Sequence, residues 1–190
     1  MIIPSKLLIK SINTIVSPHG LTDFIHAKQF RLIEELYRIN VISLGSAQIL
    51  SILHLNPLLH CIFFSSAIIH FRNDMPLITF PYLNKLNSQL AFSTTFMTTM
   101  YFLPPEFFAF YMIFIHTPNH YKLSYVYIKN NLYETLFLIV VSGLILGNFD
   151  LSQEFLINIF PLVEGLIIAH IIYEETYIFK SCTYFKDISA

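Results

Sequence analysis

Two long intervals with almost no formal charge constrain the fold of this chain more than any other feature. From Ile39 to Phe71 there is no Asp, Glu, Lys or Arg, and from Leu86 to Tyr121 the only such residue is Glu106. Both intervals exceed the ~17–25 apolar residues that one membrane-spanning helix requires. Charged residues make up 12% of the chain, about half of the ~25% that is typical of soluble domains. The sequence therefore predicts an all-α fold, a polytopic transmembrane helical bundle.

Proline-containing turn signals divide these intervals into helical hairpins. Asn56-Pro57 lies near the middle of the first interval and Pro104-Pro105 near the middle of the second, and both dipeptides favour turns. Two further apolar stretches follow toward the C-terminus. The pattern predicts a single membrane domain over residues 1–190 with about six spans. The predicted spans cover about 40–56, 57–71, 88–103, 105–120, 133–149 and 155–173.

The segment 21–39 has a different pattern from the spans. Its apolar residues, such as Leu21 and Phe24, alternate with charged ones such as Lys28 and Glu34. A helix that lies on the membrane interface shows this amphipathic pattern. Ser17 as N-cap and Pro18 at the first helical position would start the helix. We expect an N-terminal interfacial helix over 21–39.

The distribution of basic residues orients the predicted spans. With a cytoplasmic N-terminus and six spans, every Lys and Arg falls on the cytoplasmic side, which is the positive-inside pattern without an exception. The predicted protein is thus an integral, multi-pass membrane protein with both termini cytoplasmic. The basic residues are Lys6, Lys10, Lys28, Arg31, Arg38, Arg72, Lys85, Lys122, Lys129, Lys180 and Lys186.

Histidines collect at the cytoplasmic ends of the predicted segments. His116 and His120 are spaced i,i+4, so both imidazoles leave one face of a helix and can share a metal ion. Pro118 between them removes a backbone hydrogen bond and opens the turn. Histidine ligation favours Fe(II), Zn or Cu over Mg or Ca. The residues that share this depth are His19, His70, His116, His120 and His170, whereas His26, His54 and His60 are interpreted as interfacial anchors.

Three of these histidines have an acidic residue four positions later in the chain. A metal-bound imidazole usually donates its second N–H to a carboxylate or a carbonyl. We therefore expect these acids to orient the ligands, and His170 to belong to the same supporting layer around the metal. The pairs are His19 with Asp23, His70 with Asp74, and His170 with Glu174.

Four short motifs built on these histidines resemble those of the Brp/Blh family of membrane-bound β-carotene 15,15'-dioxygenases. Ser17–Asp23 (SPHGLTD) is similar to that family's PHGxxD signature, and Ile69–Asp74 (IHFRND) to its HFGxxD motif. Ile115–His120 (IHTPNH) looks like HSxxH, and Ala169–Glu174 (AHIIYE) resembles a final PHxxxxE stretch. The motifs occur in the family's order and span most of the chain. The chain looks like a shortened member of that family.

The resemblance implies an enzyme that splits the central double bond of β-carotene, or of a related carotenoid, with O₂ to give retinal. The cofactor it implies is a non-haem Fe(II) bound by four histidines, which map onto His19, His70, His116 and His120. Four neutral imidazoles leave coordination positions open for O₂. Separately, an aromatic run along the predicted fourth span suggests the lining of a polyene channel. The candidate substrate-binding residues are Phe107, Tyr111 and Phe114.

The sequence leaves other functions open. The interval between the second and third motifs is shorter than in relatives, so the alternative is a non-catalytic membrane protein that binds a carotenoid or retinal. Such a protein could deliver retinal to a rhodopsin, and membrane lipid would be a partner in either case. A di-iron desaturase or hydroxylase is ranked last, because it needs repeated histidine boxes and the chain has one HxxxH. The net charge of −1 favours no nucleic-acid partner.

Overall fold

The structure, a computed structural model, describes residues 14, 16–74, 86–147 and 153–178. The described residues form helices and no strands, so the all-α prediction is confirmed. The α-helices are α1 (Leu21–Phe30), α2 (Ile33–Ile52), α3 (Asn56–Phe71), α4 (Leu86–Phe102), α5 (Pro105–Tyr111), α6 (Thr117–Ile128), α7 (Leu132–Gly147) and α8 (Gln153–Tyr173). Short 3₁₀ segments cover Ser17–Gly20, Arg72–Asp74 and Lys129–Asn131, and π-helical turns cover Met112–His116 and Glu174–Ile178.

None of the helices in the described part of the chain combines the length and the apolar character that a membrane crossing requires.

The chain divides into two compact units, which are described separately. The first unit contains residues 1–22 and 68–149, and the second contains residues 23–67 and 150–190. Helix α3 runs from the second unit into the first, and α1 runs from the first into the second.

The second unit is held together by close packing of α8 on α2. A Cβ atom added at Gly165 of α8 would lie 3.0 Å from the Cβ of Ala47 and 3.2 Å from the carbonyl oxygen of Ser43. Glycine at this position therefore lets the two helices approach more closely than any larger residue would. Around this contact Ala47 packs with Leu59 of α3 and Ile168 of α8 in a buried apolar cluster.

The helix predicted over 21–39 is divided in the structure. Arg31 has a φ of 57°, a left-handed conformation that ends α1. The amide of Leu32 bonds the carbonyl of Ala27 at 2.7 Å, as in a helix C-terminal cap. The following residues, from Ile33, belong to α2 and continue without interruption into the first predicted span. The charge pattern alone did not show this break, because Arg31 is not a usual left-handed residue.

The other predicted segments that the structure describes correspond to helices, and one of them differs in length and continuity. The turn predicted at Asn56-Pro57 lies between α2 and α3, where His54 takes a φ of 57° and Asn56 begins α3. The turn predicted at Pro104-Pro105 separates α4 from α5. The segment predicted over 105–120 is longer than expected and is divided by the π-helical turn at Met112–His116, after which α6 continues to Ile128.

Candidate metal centre

His19 is positioned in the first unit by the 3₁₀ segment Ser17–Gly20. Pro18 lies in the first turn of that segment, where its fixed φ suits helical geometry and its missing N–H costs nothing. The Thr22 hydroxyl donates to the His19 carbonyl at 2.6 Å, and the His19 ring nitrogen Nδ1 bonds the Val16 carbonyl. A proton on Nδ1 leaves the lone pair of the other nitrogen, Nε2, available to a metal.

This segment rests on α7 through a close contact at Gly143. A Cβ atom added at Gly143 would lie 2.7 Å from the carbonyl oxygen of Thr14 and 3.7 Å from Cγ of Pro18. Real Cβ atoms do not approach backbone oxygen so closely, so the backbone that carries His19 requires glycine on the facing helix. This contact holds the segment that carries His19 against α7.

His70 occupies the last turn of α3, directly before the 3₁₀ segment Arg72–Asp74. The Ser93 hydroxyl of α4 donates to the Ile68 carbonyl at 2.7 Å, which holds the end of α3 against α4. The side chains of His70 and Asp74 are both buried, with 2% and 1% of their surface exposed. The 3₁₀ turn thus brings a carboxylate into the interior close behind a helix-terminal histidine.

His116 and His120 lie on either side of a junction between two helix types. The π-helical turn Met112–His116 ends at the first of them, and α6 begins at Thr117. Pro118 lacks the N–H that would bond the carbonyl of Phe114, and the widened turn accommodates that loss. Single π-helical turns occur frequently at functional sites.

The four histidines form one compact cluster of rings in the first unit. The rings of His116 and His120 have centroids 4.3 Å apart. The ring of His19 lies 5.4 Å from His116 and 5.1 Å from His120. The ring of His70 lies 5.1 Å from His116 and 4.9 Å from His120. All four are at most 7% exposed, so the HxxxH pair is the centre of a buried all-imidazole group.

Asp74 holds one member of this cluster in place through both oxygens of its carboxylate. Its Oδ2 accepts hydrogen bonds from Nδ1 of His116 at 2.7 Å and from the hydroxyl of Tyr111 at 2.6 Å. Its Oδ1 accepts a hydrogen bond from the amide nitrogen of Asn119 at 2.6 Å. The carboxylate therefore holds the proton of His116 on Nδ1 and leaves Nε2 as the donor to a metal.

The donor set fits a divalent transition metal. Nitrogen ligands of one tetrahedral ion, each about 2.0–2.1 Å from it, lie about 3.4 Å from one another. Rings whose centroids are 4.3 to 5.4 Å apart can meet that spacing with small side-chain rotations. The chemistry of the set, neutral imidazoles in a buried site, favours Fe(II), Zn or Cu.

Two of the acids predicted to support the ligands hydrogen-bond to histidines other than those four positions before them. Asp74 accepts a hydrogen bond from His116, whereas the i,i+4 rule assigned it to His70. Asp23, which was assigned to His19, accepts a hydrogen bond from His170 at 2.7 Å in the second unit. Only Glu174 lies near its predicted partner, with Oε2 3.6 Å from Nε2 of His170. The i,i+4 spacing did not predict the hydrogen bonds of the other two, because tertiary contacts decide which imidazole bonds to each carboxylate.

The predicted substrate residues divide into two kinds. Phe107 and Phe114 are exposed on α5 and on the π-helical turn. Tyr111 is buried and donates to Asp74, so it supports the histidine cluster directly. The sequence analysis missed Asn119, although it lies within the HxxxH motif, three residues after His116. That spacing was the available signal, since residues three apart share a helix face.

Comparisons of the chain with family models, with curated proteins and with solved structures found no match.

Proposed function

We propose that the chain is an iron-dependent dioxygenase that cleaves the central double bond of a carotenoid such as β-carotene to give retinal. The observation that carries this proposal is the buried cluster of four imidazoles in the first unit, His19, His70, His116 and His120. The same four residues belong to the motifs that resemble the Brp/Blh family. Fe(II) held by them would activate O₂, whose two oxygen atoms end in the two aldehydes formed, so no external reductant is needed.

The residues of the chain prepare the centre for such a metal. Asp74 keeps the proton of His116 on Nδ1, and the contact of His19 with the Val16 carbonyl does the same for that ring. Both Nε2 atoms are then neutral donors that need not lose a proton when a metal binds. Burial excludes water, which would otherwise compete for open coordination positions. The cluster thus presents ligands without a large rearrangement.

We further propose that the helices form a membrane bundle with both termini cytoplasmic and with a surface helix near the N-terminus. One-sided placement of all Lys and Arg residues supports this orientation. Large apolar side chains are widely exposed, including Ile52 at 72%, Phe102 at 78% and Phe137 at 67%. Lipid would cover such surfaces. An apolar polyene could then reach the protein directly from the bilayer.

The decisive experiment is co-expression with a β-carotene pathway, followed by chromatography for carotene and retinal. We expect the orange colour to fade and retinal to appear with the native chain. His116→Ala should abolish retinal formation and remove the bound iron, which we expect at about one ion per chain, because each ligand is essential to a four-ligand site. His54→Asn is the matched control, since His54 is an exposed turn residue and asparagine tolerates its positive φ.

The outcome separates catalysis from binding. Carotene that persists in cells containing iron-loaded protein contradicts the dioxygenase and leaves the carotenoid- or retinal-binding alternative. Retinal formation that survives His116→Ala contradicts the histidine centre. Phe114→Ala should retain iron and lower turnover if the exposed aromatic helps to place the substrate.

Membrane topology is tested by cysteine labelling from outside intact cells. Asn56 and Asn130 are both exposed in the structure, and the predicted topology places them on opposite sides. With Cys61 replaced by serine, a cysteine at position 56 should react with an impermeant reagent and one at position 130 should not. Labelling at position 130 would contradict the proposed topology. Recovery of the protein in the membrane-free fraction, with neither position labelled in intact cells, would contradict it as well.

A further inference from the structure

Thr117 and Tyr121 carry two buried hydroxyl groups on α6, in the same unit as the four-imidazole cluster. Thr117 directly follows His116, and Tyr121 directly follows His120. In the part of the chain that the structure describes, neither hydroxyl oxygen has a hydrogen-bond partner. The i,i+4 spacing places both side chains on one helix face. A long side chain in a helix leans toward the preceding turn, which for Tyr121 is the turn that contains Thr117.

The π-helical turn explains why the Thr117 hydroxyl has no acceptor in its own helix. Threonines of α4 donate to the carbonyl four residues earlier, as Thr99 does to Thr95 at 2.8 Å. The backbone before Thr117 is π-helical, and the Thr117 amide bonds the carbonyl of Met112, five residues earlier. The wider turn moves the carbonyl four residues earlier out of its α-helical position. The hydroxyl is therefore available to a ligand.

The two hydroxyls match the product of the proposed reaction better than its substrate. A buried hydroxyl without a partner is costly. A hydrocarbon polyene has no atom that accepts a hydrogen bond, whereas the aldehyde oxygen of retinal has two lone pairs for two donors. Internal water is the alternative occupant. The two occupants predict different results when the hydroxyls are removed.

We propose that the hydroxyls of Thr117 and Tyr121 form a subsite for the aldehyde oxygen of retinal, the polar end of an apolar polyene. This subsite rests on the proposed function, because its ligand is the product of that reaction. It gives the product two hydrogen bonds that a hydrocarbon carotenoid cannot form. The affinity for retinal is then determined by groups that do not affect the affinity for β-carotene.

Substitutions that each remove one hydroxyl test the subsite. Thr117→Val and Tyr121→Phe keep the shape of the side chain, so both variants should fold. Purified full-length protein in detergent is kept under nitrogen so that β-carotene is not cleaved. Binding of retinal and of β-carotene is then followed by quenching of tyrosine fluorescence. Each variant should bind retinal about 3–10-fold more weakly and β-carotene equally well.

The chain offers a matched control for each substitution. Tyr125 lies one turn after Tyr121 on α6 and is 60% exposed, so Tyr125→Phe should leave retinal binding unchanged. The Thr99 hydroxyl is exposed and bonds within its own helix, so Thr99→Val should leave it unchanged as well.

The carbonyl stretching band of bound retinal provides a second readout. Hydrogen bonds to an aldehyde oxygen lower the stretching frequency. In infrared difference spectra of retinal labelled at its aldehyde carbon, the band should therefore lie lower in the native protein than in the double variant Thr117→Val/Tyr121→Phe. A purely structural role of the two residues would not move the band. An unchanged band and an unchanged retinal affinity in the double variant would overturn the proposal and assign the hydroxyls to internal water.

Failure of the subsite and failure of the proposed function give different results. A chain that forms no retinal from β-carotene, but whose bound retinal loses its band shift in the double variant, supports the subsite and contradicts the dioxygenase. A chain that forms retinal, with equal retinal affinity in the native protein and the double variant, overturns the subsite and retains the dioxygenase.

Discussion

The two units combine histidines and carboxylates in different proportions. In the first unit four imidazoles surround one another and one carboxylate, Asp74, supports the group through three hydrogen bonds. In the second unit three histidines contact acids or a hydroxyl: His170 contacts Asp23 at 2.7 Å and Glu174 at 3.6 Å, His60 contacts Glu164 at 2.6 Å, and His26 contacts the Tyr173 hydroxyl at 2.9 Å. An excess of neutral nitrogen donors favours a transition metal. In the second unit the histidines contact acids and a hydroxyl, so the protonation state of each imidazole is the property to test there.

The largest effect on metal binding in the first unit is expected from a substitution of Asp74. In Asp74→Asn one carboxylate oxygen is replaced by an NH₂ group, which donates and does not accept. The single remaining oxygen cannot accept hydrogen bonds from His116, Tyr111 and Asn119 together. We expect metal affinity of the first unit to fall by about 10–100-fold, as measured by competition with a chelator.

Asn119→Ala is a milder substitution for comparison with Asp74→Asn. It removes one hydrogen-bond donor to Asp74 and leaves the bond between Asp74 and His116 in place. Its effect on affinity should be smaller than that of Asp74→Asn, with a stability loss of about 1–3 kcal/mol for the oxygen left with fewer partners. Equal metal affinity in Asp74→Asn and the native chain would contradict the assigned role of the carboxylate.

A glycine contact offers a second test that leaves all donors intact. In Gly143→Ala the new methyl group would meet the Thr14 carbonyl at 2.7 Å, which forces the backbone before His19 to move. We expect destabilisation of about 1–3 kcal/mol, as for overpacking in a core, together with weaker metal binding. Thermal unfolding and metal titration measure the two effects.

Gly45→Ala is the matched control for that substitution. Gly45 is helical, and a Cβ atom there would meet nothing within 4 Å. Alanine should stabilise α2 by about 0.5–1 kcal/mol. Equal effects of the two substitutions would show that the contact between Gly143 and Thr14 does not position His19.

The sequence predicted helices and local spacing well, and long-range pairing poorly. Proline turns and charge-free intervals located the helix pairs around residues 56 and 104, because backbone preferences act locally. The HxxxH spacing predicted that His116 and His120 share a helix face, and their rings are 4.3 Å apart. The hydrogen bonds of Asp23 to His170 and of Asp74 to His116 were not predicted, because they depend on tertiary packing. The helix break at Arg31 was not predicted, because arginine is not a residue type that usually adopts a left-handed backbone conformation.

The last expected effect concerns the protonation of a histidine in the second unit. His26 is 1% exposed, and burial lowers its pKa from 6.5 to about 4, with nearby Glu174 opposing the shift. The unfolded chain therefore takes up a proton near pH 6.5, whereas the folded chain does so only near pH 4. Stability from this residue is complete above pH 6.5 and is lost as the pH falls toward 4.

Between pH 7.5 and pH 5 the loss assigned to His26 should be about 2 kcal/mol, since one pKa unit corresponds to about 1.4 kcal/mol. Other histidines also titrate in this range, so the informative quantity is the difference between the native chain and His26→Gln, measured by unfolding of metal-free protein in detergent at both pH values. Glutamine keeps a hydrogen-bonding group near Tyr173 and cannot take up a proton. His26→Gln should therefore have the shallower pH dependence. An identical pH dependence of unfolding in both proteins would show that His26 is protonated equally in the folded and unfolded chain. The contrast in protonation between the two units would then not extend to this residue.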